Sequence, residues 1–179
     1  MSSSHKPLWS VLIALVLAAG PAAGDSDRTL DFSLPTLGSD AQIQLAQYRN
    51  KIVYLDVWAS WCTPCLRSMP ELEALREKFH GQPFEVIAVN VDHDAAAARA
   101  FLERVAVRYP VAFDRDAVQL RARVQNQADL AALPVGFLLD GRGTIRLIHR
   151  GYSSGQSAFL AEHIETLLAE LRVESDARH

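Results

Sequence analysis

Cys62 and Cys65 are the chain's only two cysteines, and they stand three positions apart. A Cys-x-x-Cys pair suits three kinds of chemistry: a reversible dithiol–disulfide couple, a static cross-link, or half of a zinc site. Zinc would need two further ligands. His80 and His93 are present, but no second cysteine pair and no closely spaced histidine pair accompanies them. A secreted domain stapled by disulfides would spread several cysteines along its length. Two cysteines confined to one motif read as a redox centre, with no metal and no cofactor in the expected chemistry.

The surroundings of the motif sharpen this reading. Residues 51–57 (KIVYLDV) are rich in β-branched and aromatic side chains, as a buried strand is. Residues 66–79 carry Met69, Leu72, Leu75 and Phe79 at helical spacing, with Pro70 inside as an expected kink. Cys62-Thr63-Pro64-Cys65 thus follows a strand and opens a helix. Cysteines at i and i+3 on a first helical turn lie roughly 5–6 Å apart, the separation a disulfide needs. Cys62 is expected at the helix N-terminus, where unpaired N–H groups favour a thiolate. Cys65, one turn further in, is expected to be buried. Cys62 is then the attacking sulfur and Cys65 the resolving one. Cys65 must shed a proton while buried, and Asp56, a carboxylate inside the apolar strand, is the candidate base. Burial is expected to raise its proton affinity towards neutrality.

These residues need a scaffold, and the rest of the chain supplies one. Residues 84–91 (FEVIAVNV) are a second buried strand. A helix is predicted over 95–105 with Asp94 as N-cap. A short strand follows at 109–113 and a short helix at 118–124. Strands at 136–140 and 144–150 are joined by Gly141-Arg142-Gly143, a hairpin signal. A helix over 157–171 closes the fold, with the last eight residues frayed. The class is α/β: a central mixed sheet flanked by helices, with parallel strands at the crossovers and antiparallel ones at the hairpin.

Composition limits the partners. The 179 residues are 49% apolar and 22% charged, with net charge −3, which excludes disorder and offers nothing to nucleic acid. Residues 8–19 are nearly all apolar, and Ala22-Ala23-Gly24 then supplies small residues. Residues 1–24 are read as a signal peptide cut before Asp25, or as a membrane anchor, with residues 25–179 as one exported domain. Asp92-His93-Asp94 is read as a solvated strand end followed by a helix cap.

At VYLDVWASWCTPC (53–65), Pro70 and LPVGFLLDGRGTI (133–145), the sequence resembles the thioredoxin superfamily, and most of all its exported TlpA/ResA-like thiol–disulfide oxidoreductases. The resemblance runs from about residue 30 to residue 172. It implies a thioredoxin-like fold with an N-terminal hairpin and a helix–strand insertion. It places Cys62 on the nucleophile and Cys65 on the resolving cysteine. Pro134 falls on the superfamily's cis proline beside the disulfide. Leu133 would present backbone groups to an extended client, and Trp61, Thr63 and Pro64 would face that client. There are two departures. Ser68 stands where the subgroup often carries a glutamate, so the acid is expected to have moved to Asp56. Gly136 stands where a threonine is usual.

The resemblance further implies a periplasmic reductase of exported protein disulfides, as needed before haem attachment to apocytochromes or before copper loading. A membrane electron donor of DsbD or CcdA type would recharge it. A disulfide oxidase or isomerase is the alternative; a copper metallochaperone on the same fold fits less well, because those use a Cys-x-x-x-Cys.

Overall fold

A computed structural model describes residues 28–124 and 127–177. Residues 1–24, read above as a signal peptide or anchor, lie outside the described residues. The sheet is organised by two largely buried strands, β3 (Ile52–Trp58) and β4 (Phe84–Asn90), which pair in parallel with Asp56 opposite Ala88. A parallel pair needs a crossover, and α1 (Cys65–Lys78) supplies it. Beyond β4, helix α2 (Ala95–Leu102) leads to β5 (Val111–Phe113), which pairs parallel to β4. A short helix, α3 (Val118–Val124), follows. The hairpin of β6 (Val135–Leu139) and β7 (Ile145–Arg150) then lies antiparallel on the other side of β3. The strand order is β5-β4-β3-β6-β7, and α4 (Gln156–Asp176) ends the chain. The lead-in forms its own two-stranded antiparallel hairpin, β1 (Ser33–Pro35) with β2 (Gln42–Gln44).

Strand alternation sends successive side chains to opposite faces. Ile52, Tyr54 and Trp58 join Cys65, Met69 and Leu72 of α1 and Leu160, Ile164 and Leu168 of α4 in one apolar layer. Val53, Leu55 and Val57 join Leu30, Phe32 and Leu34 of the lead-in and Leu120 and Val124 of α3 in the other. The mixed sheet with helices on both faces matches the expectation, as do the N-terminal hairpin and the Asp94 cap, whose carboxylate accepts from the Ala96 N–H at 2.9 Å.

Several boundaries differ, each for a local reason. The strand predicted from residue 109 begins at Val111, because Pro110 has no N–H to give the ladder; its carbonyl accepts instead from the Ala88 N–H at 2.9 Å. The helix predicted over 95–105 stops at Leu102, and its last turn tightens to i→i−3 bonds at Arg104 and Val105. The largest correction is at the C-terminus. Residues 172–176, expected to fray, continue α4 to Asp176, held by Arg142 to Glu174 at 3.6 Å and by Arg172 donating to Gln82 at 2.9 Å.

The departure at Gly136 has a steric cause. A Cβ built there would overlap the hydroxyl and ring of Tyr54, which crosses β6 over the bare glycine. Gly136→Ala is therefore expected to destabilise the protein by about 1–3 kcal/mol through overpacking, read by urea unfolding; an unchanged midpoint would show that Tyr54 can move aside freely.

Candidate functional site

β3 ends at Trp58, and the chain turns through residues 59–64 into α1. The turn is wound tightly: the Cys62 N–H donates to the Ala59 carbonyl at 3.0 Å and the Cys65 N–H to the Cys62 carbonyl at 3.1 Å. Regular helix begins at Cys65, so Cys62 sits in the turn that precedes it and not within the first helical turn, a small correction to the expected placement. The expected separation holds. The Cα atoms of Cys62 and Cys65 are 5.4 Å apart, and the sulfurs form a disulfide. Cys65 is fully buried, while Cys62 is 3% exposed.

Around the pair, Trp61 is 64% exposed, Thr63 is exposed and Pro64 half-buried. Trp58 is core, fully buried against Phe101 with ring centroids 4.8 Å apart. The Leu133–Pro134 peptide bond is cis. Val57 pairs with Val135, so the next step along β6 brings buried Pro134 level with the end of β3, beside the motif. Leu133 before it is half-buried and touches both apolar layers.

Asp56 is 1% exposed. Alternation places it on the face shared by Tyr54, Trp58 and Cys65. Its strand neighbours are Ala88 and Gly136, neither of which carries a charge or a side-chain donor. Its Oδ2 has no hydrogen-bond partner among the described residues. An ion so placed loses its hydration without replacement, and burial raises the Asp56 carboxyl from 3.8 to about 7. The same negative charge helps push the hydroxyls of Tyr54 and Tyr109 upward, after burial itself. Ser68, where a glutamate could have stood, is buried and donates to the Cys65 carbonyl at 3.3 Å. Position 68 of the helix thus carries a hydroxyl, and the buried acid that shares the face of Cys65 is Asp56 on the strand.

Sequence reasoning missed one residue. Asp92, expected at a solvated strand end, is 4% exposed. Its carboxylate accepts from the Ser60 N–H at 2.9 Å, from the Ser60 hydroxyl at 3.1 Å and from the Asn90 side-chain amide at 2.9 Å. It thereby ties β4 to the loop that carries Trp61 and Cys62. A cleft of about 510 Å³ opens beside that loop, with Trp61, His93 and Arg121 in its walls. No group of three or more metal-ligating side chains occurs among the described residues.

The comparisons agree with this arrangement. A family model described as Redoxin matches residues 23–163. The chain is 31% identical over 137 residues to the thiol-disulfide oxidoreductase ResA of Geobacillus thermodenitrificans, covering 76% of this chain and 74% of that protein. It is 32% identical over 124 residues to ResA of Geobacillus kaustophilus, covering 69% and 67%. A solved candidate DsbE thiol:disulfide interchange protein from Chlorobium tepidum superposes with a TM-score of 0.71 at 32% identity, covering 79% of this chain and 96% of that one.

Two outcomes are expected. The unfolded Asp56 ionises near 3.8 and the folded one near 7. The folded state thus binds the extra proton between those values, and stability is lost as pH rises through that window. Relative to Asp56→Asn, wild type should lose on the order of 4 kcal/mol between pH 4 and pH 8 in urea unfolding of the oxidised protein; parallel curves would deny the buried titration. Asp92→Ala leaves the Ser60 N–H without its acceptor, and should cost about 1–3 kcal/mol and speed amide exchange at residues 60–62; exchange at the wild-type rate would remove Asp92 from this role.

Proposed function

The chain belongs to the Redoxin family and is a thioredoxin-type thiol–disulfide oxidoreductase, and from that premise we propose that it acts in the periplasm as a reductase of exported protein disulfides. The observation that carries this reading is the buried Asp56 carboxyl on the Cys65 face, its Oδ2 without a partner among the described residues and its proton affinity raised to about 7 by burial. The reduced pair is the reagent. Cys62 as thiolate attacks one sulfur of a client disulfide, and the client's other sulfur leaves as a thiolate. Cys65 gives its proton to the Asp56 carboxylate and attacks the Cys62 sulfur of the mixed disulfide. The second client sulfur leaves, and the Cys62–Cys65 disulfide forms. Two electrons pass from enzyme to client.

Trp61, Thr63 and Pro64 border the attacking sulfur, and Leu133 offers main-chain groups beside it, so an extended client segment is the natural substrate. The apolar residues 8–19 and the likeness to ResA support an exported setting, where clients awaiting haem attachment need free thiols. Electrons would return from a membrane donor of DsbD or CcdA type. Among the described residues no helix is long and apolar enough to cross a membrane.

The test is the reduction potential of the pair, equilibrated in thiol buffers near neutral pH. The reading expects about −270 to −220 mV; a value near −120 mV would make the protein an oxidant and reverse the direction. Cys65→Ser should trap client proteins on Cys62 as mixed disulfides.

A further inference from the structure

The sequence departure at Gly136, the buried acid at Asp56 and a half-buried histidine at position 149 share one row of the sheet. Asp56 pairs with Gly136 across β3 and β6, and Gly136 pairs with His149 across β6 and β7. Paired residues point to the same face, so only the missing side chain of Gly136 separates the carboxyl from the imidazole. Tyr54 fills that gap. Its hydroxyl occupies the place of a Gly136 Cβ, and that place is about 4.5–5.5 Å from the Asp56 Cβ in a paired row. The same hydroxyl lies 3.3 Å from His149 Nδ1. Tyr54 itself is 2% exposed, whereas His149 is half-buried and in touch with solvent.

We propose that Tyr54 and His149 are positioning residues that tie the proton affinity of Asp56 to the protonation of the His149 ring. A tyrosine hydroxyl both donates and accepts, and a histidine nitrogen can do either. When His149 is neutral with Nδ1 bare, the Tyr54 hydroxyl donates to it and turns oxygen lone pairs towards Asp56, which favours the protonated acid. When His149 is an imidazolium, Nδ1–H donates to the Tyr54 oxygen, and the tyrosine's own proton is freed towards Asp56, which favours the carboxylate. The positive ring acts in the same direction. Acidification thus preserves a base for Cys65 under conditions that would otherwise protonate it. The inference rests on Asp56 serving Cys65, but its test does not.

The other groups near this row are few. Asp56 is faced by Tyr54, by Tyr109 from the segment before β5, and by Cys65 from α1, while β4 presents Ala88. Glu73 of α1 bears on Tyr109 rather than on Asp56. His149 is faced by Tyr54 and, from α4, by Phe159, whose ring also lies tilted against half-buried His163 with centroids 4.3 Å apart. Burial lowers the proton affinity of His149 from its ordinary 6.5.

The test is an NMR titration of the His149 ring in the oxidised protein, which involves no client and no electron flow. Linkage is reciprocal, and two opposite charges about 10 Å apart across two strand spacings shift one another measurably. Asp56→Asn should therefore lower the His149 midpoint by about half a pH unit and sharpen it to a single-site curve. In a Tyr54→Phe background the same substitution should move it by clearly less, because the hydroxyl relay is gone and only the through-space attraction remains. A His149 midpoint indifferent to Asp56→Asn, or an equal shift with and without the Tyr54 hydroxyl, would overturn the proposal. If Tyr54→Phe does not fold, the Asp56 carboxyl is followed in wild type and in His149→Gln: the lower, histidine-linked inflection of its curve must disappear, and an identical curve overturns the linkage. A redox pair of the wrong potential would instead leave these titrations intact and sink only the proposed function.

Discussion

Burying Asp56 costs the fold free energy whenever the side chain is ionised, because burial strips its water and leaves Oδ2 without a partner among the described residues. Ala88 and Gly136 flank it on the neighbouring strands. A packed apolar residue at that position would hold the sheet together better. In the proposed mechanism the carboxyl supplies instead a proton acceptor on the water-poor face it shares with Cys65, which α4 covers. A buried thiol can attack only after losing its proton, and bulk water is not at hand to take it. The destabilisation and the chemistry are therefore the same fact seen from two sides.

The rest of the site arranges access to that pair. α1 begins at Cys65, so the resolving sulfur is anchored in helix while Cys62 rides on the preceding turn. The turn is held from below by its own backbone bonds and from the side by Asp92, whose carboxylate grips Ser60. Trp61 projects from the same loop into solvent beside the cleft. A rigid loop carrying an exposed aromatic and a shielded sulfur lets a client reach Cys62 without opening the core around Cys65. α4 closes the far side of that core. Its extension past residue 171 is fastened by Arg142 and Gln82, both on loops remote in sequence.

The closeness of Cys62 to Cys65 and the burial of Asp56 were legible in the sequence because each breaks a local pattern: two cysteines where a domain of this size needs none, and a carboxylate inside an apolar strand. The strands and α1 were legible from periodicity, and the mixed sheet from the order of elements. Asp92 was not, since its partner Ser60 lies 32 residues away and nothing local distinguishes it from a helix-capping acid. The departure at Gly136 had no local explanation, because Tyr54, whose side chain takes the space beside it, lies far away in the sequence. The end of α4 was misread for the same reason, because contacts made across the fold hold a polar segment that would fray in isolation.

The claim on which this account stands is that Asp56 and Cys65 exchange one proton across a buried contact. The most direct measurement is the carboxyl-carbon chemical shift of Asp56 followed against pH in the disulfide and dithiol forms. The account predicts one titration near 7 in the oxidised protein, well above the ordinary 3.8. In the reduced protein it predicts a second inflection, as two coupled groups lose their protons in linked steps. A carboxyl that titrates near 4 in both forms, with no response to reduction, would contradict it.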